Sequence, residues 1–195
     1  MFEKVMEKVQ VRMRGEDIAV SIAVVLATLT TVACGACPLL GVLGLGDDPS
    51  ATKQWEDEDF SFDYPGDWRT LAEIWGQGAD IGVADPGTAT PWERYLTSVR
   101  IEERVLPPGA TVEEVFNAAD PQAERVVSEG VTTVNGRVAY ERVYEKYHGE
   151  PLRKIREVWL EEGGAIYVIH CWSTPGHFDE AQTDFDLIIG SFRVK

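Results

Sequence analysis

The residues best suited to chemistry are three histidines and one pair of cysteines. His148, His170 and His177 do not form the H-x-x-x-H or H-E-x-x-H spacings that place two imidazoles on one metal. Cys34 and Cys37 form a C-x-x-C, which is typical of a thiol redox pair or half of a zinc site. They lie within an apolar run, with no second C-x-x-C and no nearby histidine, so we interpret them as structural or lipidated cysteines.

Motifs that would identify a reaction are absent from the sequence. There is no G-x-S-x-G nucleophile motif, no phosphate-binding loop and no glycine-rich dinucleotide fingerprint after a predicted strand. The sequence therefore predicts no catalytic residues, no cofactor and no metal ligands, and we expect that the protein is not an enzyme.

His170 belongs to a predicted strand that is apolar on both faces, over residues 165–173. Successive side chains of a strand point to opposite faces. His170 and Cys171 therefore cannot act directly as a base and its nucleophile. We interpret His170 as a hydrogen-bonded residue of the core or of a cleft.

Six tryptophans are many for a chain of 195 residues. Trp55, Trp75 and Trp92 fall in predicted loops or at the boundaries of elements. Large aromatic side chains in such positions can anchor a protein partner. These three residues are the candidate partner-binding set.

The charge is strongly acidic, with 18 basic and 33 acidic residues and a formal net charge of −15. Because lysine and arginine supply the affinity for phosphates, this balance disfavours nucleic acid as a ligand. It favours a protein partner with a basic surface. The run Glu56, Asp57, Glu58 and Asp59 could bind calcium weakly. It lacks the spacing of a calcium loop, and we prefer to interpret it as solvated.

A long apolar segment lies near the N-terminus. Residues 18–46 contain no charged side chain, and a bilayer-spanning helix needs about 20 such residues. Four basic residues precede this segment, whereas only Lys53 follows it closely. The positive-inside rule then predicts a single-pass plasma-membrane protein. Residues 1–17 would be cytoplasmic, 18–46 an anchor, and the remainder outside.

The fate of this segment has three alternatives. We prefer an uncleaved anchor. Residues 31–34 (TVAC) faintly resemble a bacterial lipoprotein signal, which makes Cys34 a candidate for lipidation, and a simple signal peptide is the third alternative. All three place residues 47–195 outside the cytoplasm.

The exported part divides into an acidic tether, residues 47–58, and one domain, residues 59–195. Thr111 and Glu114 fit a helix-capping box. Asn135-Gly136 favours a two-residue hairpin turn. A final helix opening near Thr174 has an apolar stripe, and the remaining segments alternate as strands. The predicted fold is α+β: an antiparallel sheet of about six strands between helices, an α/β/α sandwich, preceded by the transmembrane helix.

Three segments carry a family resemblance: residues 60–68 (FSFDYPGDW), 134–140 (VNGRVAY) and 188–193 (IIGSFR). Together they resemble the PsbP-like family, which includes DcrB-type bacterial lipoproteins and a eukaryotic Ran-binding import factor. The resemblance covers about residues 58–195. It implies an antiparallel sheet between helices and a role in binding or assembly rather than catalysis.

Two classes of function follow. The preferred one is a membrane-tethered, extracytoplasmic binding or assembly module without catalytic activity. The alternative is an extracytoplasmic hydrolase that uses carboxylates in a cleft. A deep pocket with two converging carboxylates of perturbed pKa would favour the enzyme.

Overall fold

The computed structural model describes residues 51–91, 94–147 and 151–195. The predicted anchor, Cys34, Cys37, Trp92 and His148 lie outside the described residues. In the described part the strands are β1 (Thr52–Glu56), β2 (Phe60–Pro65), β3 (Arg69–Thr70), β4 (Gly82–Ala84), β5 (Ser98–Val105), β6 (Arg125–Val134), β7 (Arg137–Tyr147), β8 (Leu152–Glu162), β9 (Ala165–Ser173) and β10 (Arg193–Val194). The α-helices there are α1 (Leu71–Trp75), α2 (Val112–Ala118) and α3 (Gln182–Ser191). No helix within these ranges is long and apolar enough to cross a membrane.

The β6–β7 hairpin forms where the sequence predicts it. Asn135 and Gly136 have φ angles of 50° and 80°, as a type I′ turn requires. Val134 and Arg137 close the turn as the first pair of the ladder. The confirmed turn fixes the register of the hairpin from Val134 back to Ser128, beyond which the register shifts. Over residues 128–134 this register decides which backbone groups of β6 face outward.

Two antiparallel sheets organise the described residues. The main sheet has seven strands in the order β3-β4-β5-β9-β8-β7-β6, and a smaller sheet has the order β1-β2-β10. The α+β class and the antiparallel sheet are therefore confirmed. The predicted count of about six strands is too low, because β1 is polar and was predicted as a tether, and β10 contains only two residues and has no alternation for a sequence pattern to reveal.

Each face of the main sheet is packed against a helix. Phe185, Ile188 and Phe192 bring α3 onto one face, where the main hydrophobic cluster also includes the aromatic side chains of β2. Val112 and Phe116 bring α2 onto the opposite face. We call these the α3 face and the α2 face. Helix α2 has only seven residues, and a groove lies elsewhere on that face.

The segment predicted as a solvated tether contains a strand. Residues 52–56 form β1, which pairs with β2 from Thr52↔Pro65 to Glu56↔Ser61. The carboxylate of Asp57 accepts hydrogen bonds from the backbone N–H groups of Asp59 and Phe60, each at 2.9 Å, and thereby closes the β1–β2 turn. The tether prediction is corrected for this part, because a strand partner compensates for a low content of apolar residues.

Two predicted element boundaries also differ. The apolar positions of residues 68–75 favour a strand in the sequence, but only Arg69–Thr70 is extended, and α1 follows. Thr70 and Glu73 form a capping box that starts this helix. The last helix begins at Gln182 rather than near Thr174, because residues 175–181, which start with Pro175-Gly176, form successive turns.

Candidate functional site

A histidine between two carboxylates lies on the α2 face. The Nδ1 atom of His170 is 3.1 Å from a carboxylate oxygen of Glu157, and its Nε2 atom is 3.2 Å from one of Glu102. The strands explain this arrangement: Glu157 of β8 lies directly opposite His170 of β9, and Glu102 lies on the neighbouring strand β5. An imidazole donates to both carboxylates when both of its nitrogens carry a proton.

Glu157 is the more buried of the two carboxylates, with its side chain 9% exposed. It accepts a hydrogen bond of 2.6 Å from the hydroxyl of Tyr144 and one of 3.3 Å from the indole N–H of Trp159. Burial by itself raises the pKa of Glu157. The hydrogen bonds from His170, Tyr144 and Trp159 outweigh burial and hold that pKa below its usual range.

Glu102 is the outer carboxylate. Arg104 donates to both of its oxygens at 2.7 Å, and this bidentate contact lowers the pKa of Glu102. The guanidinium of Arg104 also lies 4.7 Å from the ring centre of Trp159. Both carboxylates beside His170 are therefore stabilised in their ionised form.

A groove of about 270 Å³ adjoins this cluster on the α2 face. Its residues are Asp80, Ile81, Arg100, Ile101, Glu102, His170 and Trp172. The guanidinium of Arg100 lies 5.1 Å from the ring centre of Trp172 and 5.7 Å from that of Trp75, and it donates to Asp80 at 2.9 Å. The groove thus combines the ring of Trp172 with two exposed carboxylates, those of Asp80 and Glu102, and Trp75 reaches its margin through Arg100.

A second, smaller pocket of about 120 Å³ contains a different acidic group. Asp85, His177, Glu180 and Asp184 line it. The pKa values of Asp85 and Asp184 are raised, chiefly by burial and further by repulsion from Asp67. This is the place in the described structure that most resembles the cleft carboxylates of the alternative, enzymatic interpretation.

The predicted partner-binding tryptophans are not brought together. Trp75 ends α1, is 47% exposed, and meets Arg100 on the α2 face and the ring of Tyr95. Trp55 lies within β1, stacks on Phe62 and packs against the hydrophobic cluster of the α3 face. Trp92, like the lipidation candidate Cys34, lies outside the described residues. The partner-binding role of the set stays a prediction, with Trp75 as its exposed member.

The cluster of Glu102, Glu157 and Tyr144 around His170 was not predicted from the sequence. His170 is hydrogen-bonded, as the sequence predicted. Cys171 lies on the opposite face, where it is buried in the α3-face cluster. A partial signal was present in the sequence: His170 interrupts the otherwise largely apolar strand β9, whereas Glu157 is one of several charged residues in β8 and does not stand out. Only the strand register shows that they meet.

A comparison with protein families now identifies the fold. The model of the PsbP-like proteins matches residues 84–194, more than half of the chain. The chain belongs to the PsbP-like family. The match confirms the resemblance and includes two of the three segments that suggested it, leaving residues 60–68 outside the matched range. It also includes the cluster and most of the groove of this PsbP-like domain.

Solved structures agree with this assignment. The PsbP-like chain is similar to cyanobacterial PsbP (CyanoP) from Synechocystis sp. PCC 6803, with 17% identity, a TM-score of 0.52, and coverage of 83% of this chain and 98% of that one. It is also similar to LpqN of Mycobacterium tuberculosis, described as involved in cell envelope biogenesis, with 14% identity, a TM-score of 0.50, and coverage of 76% and 86%. At these identities the likeness shows the fold alone. None of the curated proteins matches the sequence.

Proposed function

We propose that this PsbP-like protein is a non-enzymatic binding or assembly module, held at the outer side of the plasma membrane by its N-terminal segment. The groove of the α2 face is the contact surface, and another protein with a basic patch is the partner. The observation that carries the proposal is that the exposed Trp75, which meets Arg100 at the margin of the groove, lies near the exposed carboxylates of Asp80 and Glu102.

The size and the chemistry of the groove both favour a protein partner. Its volume of about 270 Å³ is slightly below the ~300–1,000 Å³ of typical small-molecule sites. Its two carboxylates, those of Asp80 and Glu102, are exposed to solvent. A lysine or arginine side chain of a partner would find an aromatic face and a carboxylate here. Exposed aromatic residues are common anchors of interfaces, and the net charge of −15 would steer a basic partner toward the protein.

The protonation of the carboxylates supports a binding role over catalysis. General acid or base chemistry works best with a pKa near the working pH, which for a carboxyl group requires a raised pKa. The pKa values of Glu102 and Glu157 are instead lowered, so both groups hold charge rather than exchange protons. These two carboxylates hold the imidazole of His170, which lines the groove, in a fixed position.

Trp75→Ala tests the groove directly. With full-length protein in detergent, we expect the variant to lose binding to membrane proteins captured by the wild type by at least about tenfold, as hot-spot tryptophans do. We expect its unfolding free energy to change by less than about 1 kcal/mol, because Trp75 is half exposed.

Tyr147→Ala is the matched control, since Tyr147 is an exposed aromatic residue of β7 outside the groove. It should leave capture unchanged. Capture by the wild type should also weaken between low and high salt, because salt screens charge attraction. Equal capture by both variants, insensitive to salt, would contradict the proposal.

The orientation in the membrane is tested by protease added to intact spheroplasts. Because four basic residues precede the apolar segment and one follows it closely, we expect residues 47–195 to be digested from outside. Digestion of a known periplasmic protein and protection of a known cytoplasmic one are the controls. Protection of the domain until lysis would show that it faces the cytoplasm.

The alternative function, a hydrolase, depends on the pocket that contains Asp85 and Asp184. Their raised pKa values are the shift that an acid catalyst would need. A panel of ester, phosphate ester and peptide substrates tests it. Turnover that persists through repurification and disappears in Asp184→Asn, but not in Asp179→Asn, would establish the enzyme and overturn the binding proposal.

A further inference from the structure

The outer edge of β6 is the longest open sheet edge in the described part of the chain. Strand β6 has ten residues, it is the last strand of the main sheet, and β7 is its only strand partner among the described residues. Nine of its ten residues are exposed or half-buried, and only Val134 is buried. Native proteins commonly shorten, cover or charge such edges to prevent pairing with another chain.

The hairpin register shows which backbone groups this edge offers. Val134 and Arg137 close a two-residue turn and therefore exchange both hydrogen bonds. The alternation then turns the N–H and C=O groups of Thr132, Gly130 and Ser128 toward β7. The N–H and C=O groups of Glu129, Val131 and Thr133 point away from the sheet, where an added strand would meet them.

The side chains along this edge suit an extended segment. Val131 is 69% exposed, and Val138 of β7, which pairs with Thr133 on the same face, is 58% exposed. On the opposite face Gly130 has open space above it, since a side chain placed there would meet no atom within 4 Å. An added strand could thus bury apolar residues beside Val131 and place a large side chain over Gly130.

The acidic charge near the outer edge of β6 indicates which kind of segment could bind there. Residues 111–147, which include α2 and the hairpin, carry seven acidic and four basic residues. Glu129 is half-exposed at the edge, although its carboxylate pairs with the buried guanidinium of Arg142. A second copy of the chain would bring another net charge of −15 to this edge. A segment with basic residues would meet opposite charge instead.

We propose that the outer edge of β6 binds an extended, basic segment of another protein by strand addition, with valine-like residues facing Val131. The segment extends the main sheet to eight strands, and its backbone bonds to Glu129, Val131 and Thr133. This surface is separate from the groove of the α2 face, so the proposal does not depend on the role of that groove.

The test uses the full-length protein in detergent micelles and a ten-residue synthetic peptide that alternates valine and lysine. Amide hydrogen exchange is read residue by residue by NMR. Without peptide, the N–H groups of Glu129, Val131 and Thr133 should exchange rapidly, whereas those of Gly130 and Thr132 should be protected by β7. At saturating peptide, the first three should slow by at least about tenfold, since bonded strand amides exchange only on opening.

Val131→Pro removes one outward N–H without touching a bond to β7, a position where an edge strand tolerates proline. It should weaken the peptide affinity by at least tenfold, measured by fluorescence anisotropy, with little change in melting temperature. Thr132→Pro is the matched control for the register, because it removes an inward N–H and should lower the melting temperature. If Val131→Pro fails to fold, Val131→Lys replaces it. This variant places a positive charge at the same position, which should repel the lysines of the peptide and weaken its binding.

Several outcomes would overturn the proposal. One is that the valine–lysine peptide leaves all three amides unprotected. Another is that a valine–glutamate peptide of the same pattern binds equally well, which would show that charge does not select the segment. Slow exchange of the three amides without peptide would show that another part of this chain already covers the edge. A concentration-dependent dimer that protects them would identify a second copy as the occupant.

Discussion

Glu157→Ala is expected to lower the unfolding free energy by about 3–5 kcal/mol, the range for breaking a buried charged pair on one side. The substitution removes the acceptor of three donors: the hydroxyl of Tyr144, the indole N–H of Trp159 and the imidazole of His170. The hydroxyl of Tyr144 is buried and would be left without its partner. Urea unfolding followed by tryptophan fluorescence measures the loss.

Two controls separate charge from packing. Glu157→Gln keeps an oxygen acceptor and the side-chain size, so its loss should be smaller than that of Glu157→Ala. Glu102→Gln removes a carboxylate that is about half exposed and should cost less than about 1 kcal/mol. If Glu157→Ala and Glu102→Gln lower the unfolding free energy equally, burial does not determine how much each carboxylate contributes to stability.

Acid pH gives an independent test of the same cluster. The pKa of Glu157 is lowered in the folded protein, so its carboxylate contributes stability above its ordinary pKa of 4.5. This contribution disappears as the pH falls from about 4.5 through the lower, folded-state pKa. The difference in stability between the wild type and Glu157→Gln should therefore be largest at pH 7 and shrink below pH 4.5. A difference that grows toward acid pH would reverse the assigned direction of the shift.

Phe185→Ala should cost a similar 3–5 kcal/mol through a different physical term, the cavity left by a core aromatic ring. Phe185 is completely buried. Its ring centre lies 5.8 Å from that of Phe178 and 6.5 Å from that of Trp68, to which it is nearly perpendicular. Because these rings join α3 to the rest of the α3-face cluster, truncation removes contacts on several elements at once.

Thr183→Ala is the control for helix α3, since Thr183 is exposed and alanine favours a helix. It should change stability by less than about 0.5 kcal/mol. A loss below about 1 kcal/mol in Phe185→Ala would mean that α3 is not packed as described. Unlike the loss in Glu157→Ala, the loss in Phe185→Ala should persist at acid pH, because no titrating group is removed.

The two variants also help to separate stability from binding. Both act on residues beneath the surface, and neither removes a residue at the outer edge of β6. A folded fraction of either variant should therefore bind the valine–lysine peptide with unchanged affinity. By contrast, Val131→Pro and Trp75→Ala change surfaces and should alter binding with little change in stability.

The sequence by itself determined the features that depend on local backbone chemistry. Asn135-Gly136 specified the hairpin turn, because few other pairs adopt two consecutive positive φ angles. Thr111 and Glu114 specified the start of α2 through their capping box. The spacing of Phe178, Phe185 and Phe192 specified the buried stripe around α3, and the short segments shared with the PsbP-like family specified the fold.

Tertiary structure decided what depends on pairing between distant segments. Strand β1 exists because β2 provides its hydrogen-bond partners, although its own sequence is polar and acidic. The α1 segment carried a capping box that was overlooked, since only five helical residues follow it. The two described tryptophans of the candidate set differ in the same way. Trp55, on β1, packs against the α3-face cluster, whereas Trp75, at the end of α1, lies on the α2 face.

The candidate site depends most strongly on strand register. Glu102, Glu157 and His170 meet because β5, β9 and β8 are neighbours in an order that the chain does not follow in sequence. A shift of one residue between β8 and β9 would turn Glu157 to the α3 face and leave His170 without it. The alternation of residues predicted which side chains share a face, but long-range packing selected which of them are opposite each other.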